Sequence, residues 1–412
     1  MKNDLDRLMQ ARDIDALLVI GPGKHNPAMT YLTGGVPLGQ AYLIKMNGRT
    51  PVLIHRDMER DEAAKSGLET RRLESYRLDE IFKSVRGDMR LGLAELIKRI
   101  LEDLGLISGR VAVSGKDDVG SALAVFSALN ELLPEIEFVG ELDNSILMAA
   151  RATKDAHEIE RIRRMGQITT SVVSQTAEYL TSHRAKDGML IKNDGLPLRI
   201  GEVKDKINLW LAERGAENPE GTIFAIGRDA GVPHSTGERE QALRLGETII
   251  FDLFPCEAGG GYFYDFTRTW CLGYAPEEVQ TIHQDVHDVY AQVMDELELG
   301  VLFKRYQKRT CDIFEFKGHP TIQNDQDTQK GYVHGLGHGV GLEVHEKPFS
   351  RLIGDDSNRL DAGSVITIEP GLYYPERGLG VRLEDTVWMR PDGTAEVLAE
   401  YPHDLVLPVK SA

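Results

Sequence analysis

Residues 334–346 read His334-Gly-Leu-Gly-His338-Gly-Val-Gly-Leu-Glu-Val-His345-Glu346. Three imidazoles fall within twelve positions, interleaved with four glycines. Glycine at that density weakens a helix, and the missing Cβ atoms let backbone approach a ligand closely. A lone histidine is usually packed or solvated, but three at this spacing indicate a site. The pattern is not the His-Glu-x-x-His of helical zinc proteases. His319 brings the local total to four of the 12 histidines in the chain.

Carboxylates set in apolar strands lie on both sides of this stretch. Thr248-Ile-Ile-Phe-Asp252-Leu-Phe is a strand pattern with a charge inside it, where an unpaired carboxylate would cost several kcal/mol. After Gly259-Gly260-Gly261, the run Tyr262-Phe-Tyr-Asp265-Phe-Thr-Arg-Thr269 reads as a second strand folding back, so Asp252 and Asp265 can face one another across a hairpin. In Val365-Ile-Thr-Ile-Glu369-Pro, alternation groups Glu369 with Val365 and Thr367. In Val381-Arg-Leu-Glu384-Asp-Thr-Val, Arg382, Glu384 and Thr386 share a face. Any one of these acids is most simply a solvent-facing strand residue, but four around a histidine cluster are poorly explained that way. Their summed charge of −4 matches two divalent cations, without which they would repel and take up protons. Carboxylate oxygens with an imidazole suit Mn, Fe, Co or Zn, and Cys256 is a poor fit to so hard an oxygen set.

The order Asp252, Asp265, His338, Glu369, Glu384 resembles the five metal ligands of the pita-bread metallopeptidases, the superfamily of methionine aminopeptidase, aminopeptidase P, prolidase and creatinase. Asp265-Phe-Thr-Arg-Thr, His334-Gly-Leu-Gly-His338, Ile368-Glu369-Pro-Gly and Val381-Arg-Leu-Glu384-Asp carry the resemblance. It implies an α+β pita-bread catalytic domain over residues 149–412. The α/β pattern over 1–148 resembles the creatinase-like N-terminal domain of the Xaa-Pro aminopeptidase and prolidase branch. By the same resemblance, one metal would be held by Asp265, His338, Glu369 and Glu384. Asp252 would hold the other, with Asp265 and Glu384 bridging. A hydroxide between two metals about 3.5 to 4 Å apart would be the nucleophile, with Glu369 as general base. His345 resembles the histidine that stabilises the oxyanion, His234 the one that contacts substrate backbone, and His334 and Arg382 residues that line the pocket. The implied activity is Xaa-Pro peptide hydrolysis with two divalent ions, Mn foremost and Co, Zn or Fe as alternatives, in a homodimer. A creatinase-like hydrolase of a small C–N substrate and a non-catalytic interaction module are the competing readings. The intact ligand set counts against both. The departure from the family pattern is the long Asp252–Asp265 segment, in which Leu253-Phe254-Pro255 follows the first aspartate.

The N-terminal pattern is read from its residues. Leu5, Leu8, Met9 and Arg12 have helical spacing, and Ala16–Ile20 is a buried-strand run. Ala41–Lys45 and Pro51–His55 flank Asn47-Gly48 as a hairpin. Asp57–Ser66 ends at Gly67 as a capped helix would, and Arg110–Ser114 is a strand before a helix over Ser121–Leu133. The join is expected near Asp143–Asp155, followed by a helix from Ala156 toward Leu180 with Ile159, Ile162, Met165 and Ile168 as its stripe. A second helix reaches about Arg214, and strands bounded by glycines follow. Trp270-Cys271 and Tyr373-Tyr374 can line a pocket but read more simply as core, and His25, His55, His157, His183, His283, His287 and His403 read as surface or packing residues.

Composition narrows the class. The 412 residues hold 48 Lys and Arg against 65 Asp and Glu, a net charge of −17, with 41% hydrophobic and 27% charged residues. That is an ordinary globular composition, and its acidity argues against binding a phosphate backbone. No apolar run is long enough to span a bilayer, and the acidic first twenty residues lack the pattern of a signal peptide. Three cysteines make a disulfide framework improbable and fit a reducing cytoplasm. The expected partner is a peptide substrate, with neither nucleic acid nor membrane.

Overall fold

The computed structural model describes residues 4–142, 144–353 and 356–411. Asp143, at one edge of the expected join, lies outside them. The chain divides into two compact units. One runs through Arg151 and takes in Gly259–Gly261, and the other comprises Ala152–Ala258 and the residues from Tyr262 onward.

In the first unit a six-stranded sheet has the spatial order Glu69–Arg72, Val52–His55, Ala41–Met46, Ala16–Gly21, Gly109–Gly115, Ile136–Gly140. Ala16–Gly21 is buried along its whole length, as a strand with elements on both faces must be. It pairs antiparallel with Ala41–Met46 and parallel with Gly109–Gly115. Gly48 has the positive φ that the Asn-Gly hairpin needs (71°). Helices Met89–Asp103 and Val119–Leu132 start at Asp88 and Asp118, whose carboxylates accept from the backbone N–H groups of Leu91 and Ser121. Their apolar stripes share a core with the sheet. The polar run before Gly67 is less regular than expected, forming one 3-10 turn at Asp57–Glu59 and a short helix at Arg60–Ala64.

The second unit starts with a 27-residue helix, Ala156–Ser182, nucleated by a capping box between Asp155 and Glu158. Its buried stripe passes through Ile159, Ile162 and Met165, then through Thr169 instead of Ile168. A four-stranded sheet orders Thr222–Ile226, Thr248–Leu253, Phe266–Leu272 and Val406–Leu407. A five-stranded sheet orders Glu346–Phe349, His338–Gly339, Val365–Ile368, Asp385–Met389 and Ala395–Val397. A two-stranded ribbon joins Gly371–Tyr374 to Leu379–Arg382. The expectation of glycine-bounded strands after Arg214 is incomplete, because helices Glu277–Glu296 and Phe303–Phe316 intervene. Val279, Ile282, Val286, Val289 and Val293 recur at helical spacing and bury that stripe in the main core of this unit.

Two strand expectations shift. Asp252 pairs with Thr267, not Asp265, because the returning strand begins at Phe266. Asp265 sits two residues before Thr267, and the period of two keeps it on the face of Asp252, one step along the strand. Val381 through Val387 is not one strand. Its first half pairs with Gly371–Tyr374 and its second with Val365–Ile368, and the break falls at Leu383-Glu384. Glu384 sits at that break, joined by a bridge to Thr267 of the other sheet. Glu369 likewise lies just past the end of its strand at Ile368.

Candidate metal centre

These strand ends converge on a cavity of about 450 Å³ in the second unit. Asp252, Asp265, His338, Glu369, Glu384, His234, His334, His345 and Arg382 all line it. Cys256 is not among the lining residues, and Trp270 and Cys271 are core. His319 is held elsewhere, by the Tyr374 hydroxyl at 2.6 Å and Asp285 at 3.0 Å.

Asp265, His338 and Glu384 each present a ligand atom within 4.8 Å of the other two. All are buried, with exposures of 4%, 8% and 2%. His338 Nε2 lies 3.6 Å from Asp265 Oδ2 and 3.5 Å from Glu369 Oε1. Its Nδ1 is 3.1 Å from the Gly339 carbonyl, which can only accept, so Nδ1 carries the hydrogen and Nε2 presents a lone pair. Burial, followed by the charge of His345, holds this imidazole near a pKa of about 3, so it is neutral at physiological pH. A lone pair facing carboxylate oxygens at 3.5–3.6 Å is too far for a hydrogen bond. The spacing suits neighbouring ligands of one cation, which sit about 3 to 3.5 Å apart when each bond is about 2.1 Å.

Without a cation the acids compensate by holding protons. Burial raises Asp265 well above its ordinary range, reinforced by the charges of Asp252 and Glu369. Glu384 is raised well above its range by burial and then by Asp265, Glu369 and Asp252. Burial pushes Glu369 to about 8 against the opposing charge of Arg382. Asp252 receives Arg382 Nη2 on Oδ2 at 2.5 Å, while its buried Oδ1 has no partner among the described residues. An orphaned carboxylate oxygen, a proton-free imidazole nitrogen and three proton-holding acids in one cavity fit the chemistry of a divalent-cation site.

Hydrogen bonds fix the candidate ligands from behind. Thr267 Oγ1 donates to Glu384 Oε2 at 2.6 Å and accepts from Arg382 Nε at 3.1 Å. Thr367 Oγ1 accepts from the His338 backbone N–H at 3.1 Å. Gly337 and Gly339 have no room for a Cβ, which would come within 2.0 Å of the carbonyls of Thr367 and Lys347. This accounts for the glycines around His338.

Tyr373 belongs to the site as well as to the core, so that both sequence readings of it apply. Its hydroxyl accepts from Arg382 Nη1 at 2.7 Å and faces His334 Nε2 at 2.8 Å. His334 Nδ1 is 2.7 Å from the Gly335 carbonyl and so carries the hydrogen, leaving Nε2 to accept from Tyr373. Burial and the charge of Arg382 hold His334 neutral, near about 3. The signal that could have found Tyr373 is the ribbon register, which sets Tyr373 opposite Gly380, two residues from Arg382. His345 is exposed toward the cavity with its ring centroid 4.3 Å from that of His338, and desolvation lowers its pKa. His234 is exposed on the wall.

A second polar cluster backs this site. Arg268 and Asp385, 1% exposed each, form an ion pair at 2.8 Å. Tyr290 and His403 also reach Asp385, at 2.7 and 3.4 Å, so His403 has more context than surface packing. Arg268 Nη1 also donates to the backbone carbonyls of Thr267 and Glu384, tying both sides of the inter-sheet bridge.

Known proteins share this architecture. The sequence profile of metallopeptidase family M24 matches residues 160–391, and that of the creatinase/prolidase N-terminal domain matches residues 2–143. The Xaa-Pro dipeptidase of Pyrococcus furiosus is 26% identical over 397 residues, 95% of this chain and 97% of that protein. Among solved structures, a dipeptidase from Pyrococcus horikoshii OT3 superposes with a TM-score of 0.75 at 22% identity, covering 98% of this chain and 99% of that one. An X-Pro aminopeptidase from Thermotoga maritima MSB8 gives a TM-score of 0.74 at 22% identity, with the same coverage. The fold is therefore a creatinase-type α/β domain followed by a pita-bread catalytic domain.

Proposed function

The chain belongs to metallopeptidase family M24, and from that premise we propose that it hydrolyses the bond between a residue and a following proline, using two divalent cations. The observation that carries this reading is the buried set in which the bare Nε2 of His338 faces Asp265 and Glu369 with Glu384 close by. Its likeness to the Xaa-Pro dipeptidase of Pyrococcus furiosus, along nearly the full length of both chains, supports the substrate class.

Asp265, His338, Glu369 and Glu384 would hold one cation, and Asp252, with Asp265 and Glu384 shared, the other. Divalent cations there supply Lewis acidity toward a carbonyl and acidify water enough for attack at neutral pH. Glu369, ionised once cations occupy the site and 3.5 Å from His338 Nε2, would take a proton from the attacking water and deliver it to the departing proline nitrogen as the C–N bond breaks. A proline nitrogen cannot leave as an anion, so this delivery is obligatory. His345, at the cavity wall beside His338, would donate to the oxyanion of the tetrahedral carbon. His234 would bind substrate backbone. Arg382 orients Asp252 directly and His334 through the Tyr373 hydroxyl.

We take Mn as the native metal, with Co, Zn or Fe as substitutes, on the hardness of the oxygen ligands. Cys271 and Cys311 are buried and form no disulfide among the described residues, which supports a reducing cytoplasm. None of the described helices is long and apolar enough to cross a membrane. A homodimer and a domain division at residues 148 and 149 are carried over from the family resemblance. Sedimentation and limited proteolysis test them.

Metal analysis of protein purified without chelator, with hydrolysis of Ala-Pro and Ala-Pro-Ala under added Mn, tests the function. Bound divalent metal and release of alanine are expected. No metal and no cleavage of either length would refute it, and cleavage of both lengths would favour the aminopeptidase over the strict dipeptidase form.

A further inference from the structure

Among the described residues that line the cavity, Glu220 is the one carboxylate outside the metal-binding set. It lies two residues before the strand Thr222–Ile226 and is exposed, and it joins no hydrogen bond or ion pair among the described residues. Two cations share the wall. Arg382 is committed to Asp252 at 2.5 Å, and Arg351 lies over the Phe349 ring, 4.7 Å from its centroid. Glu220 is thus a carboxylate on this wall that neither arginine pairs with.

A Xaa-Pro substrate brings an ammonium to this cavity from two sources, its α-amino group and the side chain of a basic first residue. The α-nitrogen is two bonds from the scissile carbonyl carbon and stays within about 2.5 Å of it. It is thus confined to the buried carboxylates against which that carbonyl must lie. Glu220 is exposed on the wall and stands outside that buried set. We propose that Glu220 makes the site prefer a basic residue, lysine or arginine, on the N-terminal side of the scissile bond. This rests on the Xaa-Pro peptidase reading and specifies its substrate class.

The test compares kcat/KM for Lys-Pro and norleucine-Pro, which match in chain length and differ in the terminal ammonium, using the full chain loaded with Mn. Each ratio is measured within one preparation, so differences in folding or metal content cancel. The wild type should favour Lys-Pro by about two- to fivefold, the range of an exposed ion pair. Glu220→Gln should bring the ratio to unity, Glu220→Lys should invert it, and added salt should shrink the wild-type preference. A wild-type ratio at or below unity, or a ratio that Glu220→Gln leaves unchanged, would overturn the proposal. Equal losses on both substrates in Glu220→Gln would also overturn it, by assigning Glu220 to the α-ammonium. Hydrolysis of norleucine-Pro with a flat ratio sinks the Glu220 assignment alone, whereas no hydrolysis of either substrate sinks the peptidase reading and this inference with it.

Discussion

Glu384 and Asp385 are consecutive residues, 2% and 1% exposed, at the seam between two sheets, yet their protons behave oppositely. Burial raises Glu384 far above its ordinary range, and the charges of Asp265, Glu369 and Asp252 add to the effect. Burial also pushes Asp385 up, but the charge of Arg268 and hydrogen bonds from His403, Tyr290 and Arg268 outweigh it and leave the pKa lowered. Depth is therefore not what separates them. On the Asp385 side the chain supplies its own cation and donors, and on the Glu384 side carboxylates outnumber the arginine available. A cluster that cannot neutralise itself at neutral pH is completed from outside, here by divalent metal.

The strongest way to break this contrast is to remove a ligand. His338→Ala or Asp265→Asn should lower kcat/KM by about a thousandfold or more, since several kcal/mol of transition-state stabilisation depends on the metal. Metal content by mass spectrometry should fall with it, and a fully active variant would remove that residue from the site. On the other side of the seam, Arg268→Met leaves a buried carboxylate without its cation. It should cost about 3–5 kcal/mol of stability by denaturant unfolding, partly restored when Asp385→Asn is added. Equal destabilisation in the single and double variants would mean that Arg268 acts by packing alone.

Acidity sharpens the contrast without mutation. Glu369 binds its proton up to about 8 in the folded chain but only to its ordinary 4.5 when unfolded. Its contribution is fully present below about 4.5 and is lost as pH rises through about 8, so the chelated protein should lose several degrees of Tm over that window. The Mn-loaded protein, whose ligands are already ionised, should not. Asp385, lowered from 3.8, behaves in the reverse sense. Its contribution is present above the unfolded value and is lost as pH falls through the folded one, with or without metal. The smallest effect is expected from Thr267→Val, which deletes the hydroxyl between Glu384 and Arg382. Stability should fall by about 1–2 kcal/mol and metal affinity by about tenfold, read by unfolding and by competition with a metal indicator.

Much of the candidate site is legible in the sequence because each proposed ligand sits in a strong local signal. Asp252 interrupts an apolar strand, His338 sits among glycines, and Glu369 precedes a proline. What stays hidden depends on register and sheet membership. That Glu384 lies between two sheets cannot be read from Val381-Arg-Leu-Glu384-Asp-Thr-Val, where alternation alone suggests one strand. Tyr373 resembles a core aromatic because it is one, and only its opposition to Gly380 brings its hydroxyl to Arg382 and His334. His403 meets Asp385 from 18 residues away, and Arg268 from 117. Contacts of that range leave no local pattern. The helix Glu277–Glu296 is a different case, because its valine spacing is visible to anyone reading for a helix there.

The central claim is that the proton-holding carboxylates around His338 form a hydrolytic divalent-metal site. Its most direct test is release of alanine from Ala-Pro by chelated protein as Mn is titrated back at pH 7. The account predicts no release at the start, uptake of metal accompanied by release of protons from the buried acids, and activity that saturates near two equivalents per chain. Full hydrolysis by the chelated protein, or stoichiometric metal uptake with no hydrolysis, would contradict it.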